Sequence, residues 1–362
     1  MKQTLALTPT SSPVCPLIAI GIDGGGTHSL AVAVDSTGRT LAMAEAGSLN
    51  FFGAGLPTAR RNLKKLVSLL RRRLRPGTPF TRIVVGCAAL FSDATKPEAA
   101  RLCRGLLPLG RTRVLSDCQT AGFGATLGRP GVVVIAGTGS IVLARNRAGQ
   151  LTRVGGWGHV LGDAGSAYWI AVESVKAAIA AEEGLGPKTG LGRIIRRWFG
   201  AKTLTGIVPA IHRPEFAKED LAALSGHLAR SAGRSDGVFR SICWRAGREL
   251  AAQARTALRR ARLERRLPAV WLIGGVLTNN TLVRASLIAA LKESCVIRLE
   301  APRLPPVLGA AAMALVDSGA ELTPEIVANL AAPTRPCPHA AVLHASGWRQ
   351  RLGRVQFSSC TV

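Results

Sequence analysis

The chain has 362 residues, of which 47% are hydrophobic and 19% charged, and its formal net charge is +26 at pH 7. This length suggests two domains, and the composition is that of a globular protein rather than a disordered or fibrous one. The excess of positive charge suggests a nucleic acid or another anionic surface as a partner, but no recognised nucleic-acid-binding module is present. Solvated arginine-rich surfaces are therefore the favoured explanation, and a nucleic-acid partner is disfavoured.

The cysteines and the N-terminus indicate a cytoplasmic protein. The 8 cysteines are scattered and form no C-x-x-C pair, so their local spacing indicates neither zinc nor an iron–sulfur cluster. Residues 1–16 are rich in Thr, Ser and Pro, and we expect a disordered leader that lacks the apolar core of a signal peptide. The apolar run Leu17–Ile22 is too short to cross a membrane, and no membrane partner is expected.

A glycine-rich corner separates the first two predicted strands. Leu17–Ile22 is the first strand, an alternating pattern after the corner predicts the second, and Thr40–Glu45 is the third. The corner Asp23–Thr27 offers backbone N–H groups and a hydroxyl that can wrap a phosphate. Asp23 is placed to hold Mg²⁺ through water. A simple tight turn is the alternative. The loop after the third strand contains Asn50, whose amide we expect to be exposed.

The next segment places Asp117 at a strand-to-helix junction. Helical periodicity covers Thr58–Leu74, Pro97–Leu107 and Thr120–Leu127, and strands are predicted at Phe80–Val85 and Arg113–Ser116. A carboxylate at such a junction points from the C-terminal edge of a sheet, where α/β enzymes collect their catalytic groups. An ordinary helix N-cap is the alternative.

The opening pattern of the chain then repeats. Val132–Ala136 is a strand, Gly137–Ser140 a glycine corner, Ile141–Arg145 a strand and Gln150–Val154 another strand. The order of strand, Gly/Thr corner, strand, turn and strand is the same as in the first segment, which implies a duplicated domain. Two such units facing each other would present two phosphate-binding corners to one cleft.

The segment Gly155–Ile170 combines several glycines with an indole, an imidazole and a carboxylate. A helix that ends near Gly184 is predicted to start close to Asp163, so these groups lie at a helix N-terminus. Trp157 offers an apolar face and Asp163 a carboxylate that accepts hydrogen bonds from hydroxyl groups, which suits a small polar ligand such as a sugar. The alternative is a tight turn with a buried tryptophan and Asp163 as the N-cap.

The rest of the chain is mainly helical. Helices are predicted at Leu191–Phe199, Glu215–Ala232, Val238–Leu263, Thr281–Lys292 and Pro306–Val316, with strands at Ala269–Ile273 and Val296–Leu299. The paired glycines Gly274 and Gly275 mark a place where adenine can lie against the backbone, or a connection that needs glycine only for packing. Residues 321–362 are expected to be a loose tail without an assigned role.

Four of these segments occur in the order found in the actin/hexokinase/Hsp70 ATPase superfamily: Ile22–Thr27, Val134–Ser140, Gly155–Ile170 and Ile273–Asn279. Within it, the chain resembles the N-acetylglucosamine kinases of the BadF/BadG/BcrA/BcrD ATPase family from about Ile18 to Gly319. The resemblance implies an α/β protein with duplicated ribonuclease H-like (actin-like ATPase) domains. Each has a central mixed sheet flanked by helices, and a cleft separates them. The domains would be residues 17–130 and 131–320, the second with a helical insertion.

The resemblance implies a cytoplasmic kinase that uses ATP and Mg²⁺ to phosphorylate the 6-hydroxyl of an amino sugar, N-acetylglucosamine or glucosamine. Asp117 would be the general base and would contact the sugar, and Asp23 would orient hydrated Mg²⁺. The other implied site residues are Asn50, Gly156, Trp157 and Asp163 for the sugar, Gly25, Gly26, Thr27, Thr138 and Gly139 for the terminal phosphates, and Gly274 and Gly275 for adenosine.

Two other functions stay open at this point. One is an ATPase that activates a partner enzyme through an iron–sulfur cluster at a dimer interface, as in other branches of the same family. The other is a sugar-sensing or nucleic-acid-binding protein without enzymatic activity, which the net charge would suit. Ala164 stands where many relatives carry an acidic residue, so the preferred hexosamine is also open, as is a homodimer.

Overall fold

The computed structural model describes residues 17–90, 95–213, 216–233, 235–264 and 267–332. Within them the chain forms two compact units. The first unit comprises the residues up to Ala89, Pro97–Leu115 and the residues from Ala310 on, and the second is essentially Ser116–Gly309. The predicted leader and residues 333–362 of the predicted tail lie outside the described residues.

The first unit contains one mixed sheet of five strands. These are β1 (Ile18–Gly24), β2 (His28–Asp35), β3 (Thr40–Gly47), β4 (Arg82–Cys87) and β5 (Thr112–Ser116), in the spatial order β3-β2-β1-β4-β5. Strands β1, β2 and β3 pair antiparallel, and β1 pairs parallel with β4. The strand predictions for this segment are confirmed. β-Branched and small apolar residues fill both faces of β1 and β2, which are almost entirely buried.

Two helices accompany this sheet between β3 and β5. Helix α1 (Leu56–Arg73) packs on β3 through an apolar stripe that includes the fully buried Leu63, Leu66 and Leu70. Helix α2 (Lys96–Cys103) ends before the predicted Leu107, because Gly105 adopts φ 74 in the left-handed region and interrupts the helix.

The second unit repeats the topology of the first. Its strands are β6 (Gly131–Ala136), β7 (Ser140–Arg145), β8 (Leu151–Gly155), β9 (Ala269–Ile273) and β10 (Arg298–Glu300), in the order β10-β9-β6-β7-β8. As in the first sheet, an antiparallel three-stranded meander is joined through its first strand to a parallel neighbour. The internal repeat predicted from the sequence is therefore confirmed, and with it the α/β class built on two mixed sheets.

Helices make up most of the second unit. They are α3 (Asp117–Thr126), α4 (Gly158–Leu161), α5 (Ala167–Glu182), α6 (Leu191–Phe199), α7 (Val208–Ile211), α8 (Lys218–Ser231), α9 (Gly237–Arg260), α10 (Gly275–Asn279) and α11 (Thr281–Lys292); α12 (Pro306–Asp317) crosses into the first unit. The main core lies where α9 packs on α11, around Phe239, Leu250 and Leu287. Because α3 packs against β6 and β7, the second unit starts at Ser116, earlier than the predicted domain start at residue 131.

A last helix, α13 (Pro324–Ala331), lies where the sequence predicts a loose tail. Thr323 caps it by accepting a hydrogen bond from the Ile326 N–H, and Leu330 is fully buried. The Asn329 amide donates to the Thr37 carbonyl over 2.8 Å, which ties α13 to the turn between β2 and β3. The expectation of a loose tail is thus wrong for these residues. None of the helices in the described ranges is both long and apolar enough to span a bilayer.

Candidate functional site

The first glycine corner joins β1 to β2 and leaves backbone donors accessible. Gly26 and Thr27 are exposed. Outside the strand ladder, the described residues show no backbone hydrogen bond donated by Gly25, Gly26 or Thr27. The corner is held instead through the Gly25 carbonyl, which accepts a hydrogen bond from the Ser48 hydroxyl over 3.2 Å. Successive N–H groups in such a turn form a concave site that suits an anion.

Asp23 lies in β1 just before this corner. Its neighbours in the sheet are Leu30 on β2 and Gly86 on β4. In the part of the chain that the structure describes, no three His, Cys, Asp or Glu side chains group as metal ligands. One carboxylate is what Mg²⁺ needs when phosphate oxygens and water supply its other ligands, so the donor set fits Mg²⁺ and does not fit an all-protein metal site.

Asn50 is held in the loop that follows β3. Only 9% of the residue is exposed, so the expectation of an exposed amide is wrong. Its Oδ1 accepts hydrogen bonds from the N–H groups of Phe52 at 3.1 Å and Gly53 at 3.3 Å, which is an Asx turn. Within the described residues its Nδ2 makes no hydrogen bond, so this group is available as a donor.

Asp117 is the first residue of α3, and Ser116 holds the N-cap position. The alternative of Asp117 as an ordinary N-cap is therefore wrong, and the backbone of Ser116 is satisfied by the Gln119 side chain over 3.2 Å. The Asp117 Oδ1 accepts a hydrogen bond from the Cys118 N–H over 2.7 Å. Burial raises the pKa of Asp117 above its ordinary value of 3.8, while this N–H, the Ser116 hydroxyl and the Lys218 ammonium oppose the rise.

Asp163 joins the second glycine corner to the start of α5. Its Oδ1 accepts a hydrogen bond from the Ser140 N–H over 3.2 Å, and the Ser140 hydroxyl donates to the Ala164 carbonyl over 2.8 Å. Asp163 is only 6% exposed and has φ 59, a conformation uncommon for a residue with a side chain. Ser166, and not Asp163, is the N-cap of α5. The alternative of Asp163 as the N-cap is therefore wrong.

Asp163 also resembles Asp117 electrostatically. Burial raises its pKa, while the Ser140 N–H, the Lys218 ammonium and His159 oppose the rise. Both carboxylates thus lie within the field of Lys218, the first residue of α8. The structure brings Asp117 and Asp163 into one electrostatic environment of the second unit. The sequence carries no local signal for Lys218, which approaches these residues only through the fold.

Trp157 is 68% exposed, so the alternative of a buried tryptophan is wrong. The Arg153 guanidinium lies 5.3 Å from the centre of its ring, and the same side chain donates to the Gly156 carbonyl over 3.3 Å. The next turn, α4, is also exposed. The loop therefore carries both groups that the sequence assigns to sugar binding. The exposed indole of Trp157 is a flat apolar face, and the buried carboxylate of Asp163 is a hydrogen-bond acceptor.

Gln253 of α9 donates to one end of this loop and lies close to the other end, and it was not found from the sequence. Its Nε2 donates to the Ala164 carbonyl over 3.4 Å, and its Oε1 lies so close to Gly155 that a Cβ there would collide with it. Gly155 has φ 77, in the left-handed region, and this conformation is the reason that glycine suits this position. The contact joins residues 89 positions apart, which leaves no local pattern to read.

Gly274 and Gly275 lie between β9 and α10. Gly274 has φ 100, and a Cβ there would overlap the backbone of Ala136 at the end of β6. Packing is therefore enough to explain why position 274 is a glycine, which was the alternative to a contact with adenine. Gly275 is exposed at the first position of α10, and contact with adenosine remains a prediction for both glycines.

Comparisons with known proteins agree with the resemblance in the sequence. The model of the BadF/BadG/BcrA/BcrD ATPase family matches residues 20–314. An N-acetylmuramic acid/N-acetylglucosamine kinase of Clostridium acetobutylicum is 29% identical over 263 residues, which are 72% of this chain and 85% of the relative. An N-acetyl-D-glucosamine kinase of Dictyostelium discoideum is 33% identical over 191 residues, 49% of this chain and 59% of the relative.

One solved structure supports the same fold. A protein of Chromobacterium violaceum, whose proposed activity is that of an N-acetylglucosamine kinase, has a TM-score of 0.68 and 25% identity. The match covers 83% of this chain and 99% of that one. The predicted family and the two-domain α/β architecture are both confirmed.

Proposed function

Because this chain belongs to the BadF/BadG/BcrA/BcrD ATPase family, we propose that it is an ATP-dependent kinase that phosphorylates the 6-hydroxyl of an amino sugar. N-Acetylglucosamine is the first candidate acceptor and glucosamine the second. The observation that carries the proposal is the pair Asp117 and Asp163. Asp117 is half-buried at the start of α3, Asp163 is buried against the second corner, burial raises the pKa of both carboxyl groups, and the Lys218 ammonium opposes both rises. Environments that perturb a carboxylate in this way are typical of catalytic sites.

The residues of the first corner are proposed to hold the terminal phosphates of ATP. Gly25, Gly26 and Thr27 offer N–H groups and a hydroxyl, with Thr138 and Gly139 contributing from the second corner. Asp23 would hold Mg²⁺, which when bound neutralises charge on the phosphates. Gly274 and Gly275 are proposed to lie against adenosine.

The sugar is proposed to bind along the loop of the second unit. Trp157 offers its exposed ring for stacking, and Asp163 accepts hydrogen bonds from hydroxyl groups. Gly156 lets the sugar approach the backbone. Asn50 donates from its Nδ2, the group that its own Asx turn leaves unused. The deletion of a hydrogen bond to a charged group, here the Asp163 carboxylate, typically costs about 1.5–3 kcal/mol.

Asp117 is proposed to take the proton from the sugar hydroxyl during phosphoryl transfer. The carboxylate accepts a hydrogen bond from this hydroxyl and orients its oxygen toward the γ-phosphorus of ATP. It receives the proton as the bond from the sugar oxygen to phosphorus forms and the bond from phosphorus to the departing ADP breaks. Burial supports this role because it raises the pKa of Asp117 and makes the carboxylate a better base. General base catalysis contributes about 10²–10⁴-fold in comparable enzymes.

The rival function as an activator that carries an iron–sulfur cluster gains no support from the described cysteines. Four of the described cysteines, Cys87, Cys103, Cys118 and Cys243, are buried, and Cys295 is half-buried. Burial raises the pKa of the thiols of Cys103, Cys118, Cys243 and Cys295. A cluster ligand at a dimer interface must be accessible as a thiolate. The homodimer, the cleft between the domains and the cytoplasmic location stay predictions.

A coupled assay of ADP release tests the proposal. The purified protein is supplied with ATP and Mg²⁺ and with glucosamine, N-acetylglucosamine, N-acetylmannosamine, N-acetylmuramic acid or glucose in turn. We expect the highest kcat/KM for N-acetylglucosamine or glucosamine, and no turnover of the 6-deoxy form of the best acceptor. ADP release that is independent of every sugar, or turnover of the 6-deoxy sugar, would refute the proposal.

A further inference from the structure

The outward face of α1 is basic from Arg61 to the end of the helix. The helix contains no Asp or Glu, and its apolar residues Ala59, Leu63, Leu66, Val67 and Leu70 are buried in the first unit. The exposed cations on and just after it are Arg61, Lys64, Lys65, Arg71, Arg72, Arg73 and Arg75. The helix therefore separates an apolar inner face from an outer face of one sign of charge.

The end of α2 extends this surface. The Arg60 guanidinium donates to the carbonyls of Arg101, Leu102 at 3.1 Å and Arg104 at 3.0 Å, which fixes the end of α2 beside α1. Arg101 and Arg104 are themselves exposed. We call the exposed cations of both segments the α1 basic face; its members are Arg61, Lys64, Lys65, Arg71, Arg72, Arg73, Arg75, Arg101 and Arg104.

Among the described residues, no ion pair shorter than 4 Å is seen for a cation of this face. The ion pairs of the described chain use other cations: Arg113, Arg129, Lys176, Arg196, Arg245, Arg248 and Arg298. Within α1, Arg61 and Lys65 are four residues apart, where like charges repel. A bound polyanion would remove this repulsion. A surface that contacts only solvent does not require so many charges of one sign close together.

The chemistry of the face favours one class of polyanion. An interfacial membrane helix exposes large apolar residues beside its cations, but none of the exposed large apolar residues of the described chain belongs to α1. Single-stranded nucleic acid is bound by stacking on aromatic side chains, and the sequence of α1 contains none. Guanidinium groups match phosphate oxygens, and duplex nucleic acid carries one phosphate charge per roughly 1.7 Å.

We propose that the α1 basic face binds the phosphate backbone of duplex nucleic acid without sequence specificity. The composition alone left this partner disfavoured, because net charge does not tell where the cations lie. The structure places nine exposed cations together on this surface of the first unit. The proposal is independent of the sugar kinase activity, since none of the face residues belongs to the proposed site.

Fluorescence anisotropy with a labelled duplex of about 30 base pairs and arbitrary sequence tests the proposal, over a series of salt concentrations. The face variant combines Arg61→Gln, Lys64→Gln, Lys65→Gln and Arg72→Gln. The matched control combines Arg193→Gln, Arg197→Gln, Arg240→Gln and Arg284→Gln. These control residues are exposed arginines of the second unit, so both proteins lose the same charge.

We expect the wild-type affinity to fall linearly with salt on a log–log scale. Each lost phosphate contact removes about 0.9 from the slope, so the face variant should lose about 3 to 4 from it and at least 10-fold in affinity near 100 mM salt. The affinity of the control should fall by less than about 3-fold.

Equal losses of affinity in the two variants would show that binding depends only on the total charge, and this would overturn the proposal. No binding by the wild type, or tighter binding to anionic lipid vesicles than to the duplex, would also overturn it. Thermal melting of each variant checks that it is folded.

Discussion

The two glycine corners hold the same place in two sheets of the same topology, yet they use their backbone differently. In the corner between β1 and β2, Gly25, Gly26 and Thr27 donate no backbone hydrogen bond outside the strand ladder of the described chain. In the corner between β6 and β7, the Gly137 N–H bonds to the Gly139 carbonyl and the Ser140 N–H bonds to Asp163. The first corner keeps its donors accessible, whereas the second has already used two of them.

This difference shows how a duplicated unit can diverge without changing its topology. In the second unit the segment before α5 folds back on the corner, since the Ala167 N–H donates to the Gly137 carbonyl over 2.9 Å. The same segment places the Asp163 carboxylate against the backbone of the second corner, and its negative charge repels an anion there. We therefore expect the first corner to dominate phosphate binding and the second to serve mainly the sugar side. The following experiments test this division.

The largest effect is expected for Asp117→Asn. Asparagine keeps the shape of the side chain but is not basic enough to take the hydroxyl proton, so kcat should fall by about 10²–10⁴-fold. The affinity for ATP, measured by calorimetry, should stay within about 2-fold, because general base catalysis requires no contact with the nucleotide. An unchanged kcat would remove Asp117 as the base.

The stability of the same variant separates a catalytic role from a structural one. The pKa of Asp117 is raised in the folded protein, so the ionised carboxylate destabilises the fold at pH values above the raised pKa. Asparagine removes this cost, and Tm at neutral pH should not fall. The difference in Tm between the variant and the wild type should shrink as the pH falls through that pKa, because the carboxyl group of the wild type becomes neutral. A sharply lower Tm at neutral pH would instead point to a structural role.

The next largest effect is expected for Asp163→Ala. This change removes the acceptor proposed for the sugar hydroxyls, and the loss of a hydrogen bond to a charged group corresponds to a rise of about 10- to 100-fold in the KM for sugar. The KM for ATP should change by less than about 3-fold. Asp163→Asn is the control, because its Oδ1 can still accept from the Ser140 N–H and preserve the corner. Equal increases in both KM values would show that the second corner serves the nucleotide as much as the sugar.

A smaller effect distinguishes the corners directly. Thr27→Val should raise the KM for ATP by roughly 3- to 10-fold, the value of one hydrogen bond, whereas Thr138→Val should raise it by no more than about 2-fold. Thr27→Ser keeps the hydroxyl and should restore most of the affinity. A larger rise in the KM for ATP with Thr138→Val than with Thr27→Val would mean that the phosphates bind chiefly at the second corner, which contradicts the proposed division of roles.

Local signals were enough to predict most of the fold. The bounds of α6, α11 and β9 agree with the prediction, because Gly200 ends α6 in a left-handed conformation and the Asn280 side chain accepts from the Val283 N–H at the start of α11. The predicted repeat also follows from local order. The exposure of Trp157 could not be predicted from the sequence, because an indole at a turn can be buried or exposed. Its exposure depends on how the loop packs in the folded protein.

The contacts that organise the candidate site are non-local. Asp163 reaches a corner 23 residues earlier in the chain, and Gln253 reaches Ala164 across 89 residues. Hydrophobic periodicity and capping patterns report only on neighbours within a few positions. Local patterns therefore marked most of the candidate site residues, the resemblance to a family assigned their individual roles, and only the fold gave their surroundings.

The smallest effect is expected for Lys218→Met and appears only in the pH dependence. The Lys218 ammonium lowers the pKa of Asp117 against the effect of burial, and without it that pKa rises further. The base acts in its ionised form, so kcat decreases as the pH falls through this pKa, and the acid limb of the pH–rate profile should move to higher pH. Lys188→Met, a change of an exposed lysine in the same unit, should leave the limb in place. An unmoved limb in Lys218→Met would mean that Lys218 does not act on the base, even if kcat at neutral pH has changed.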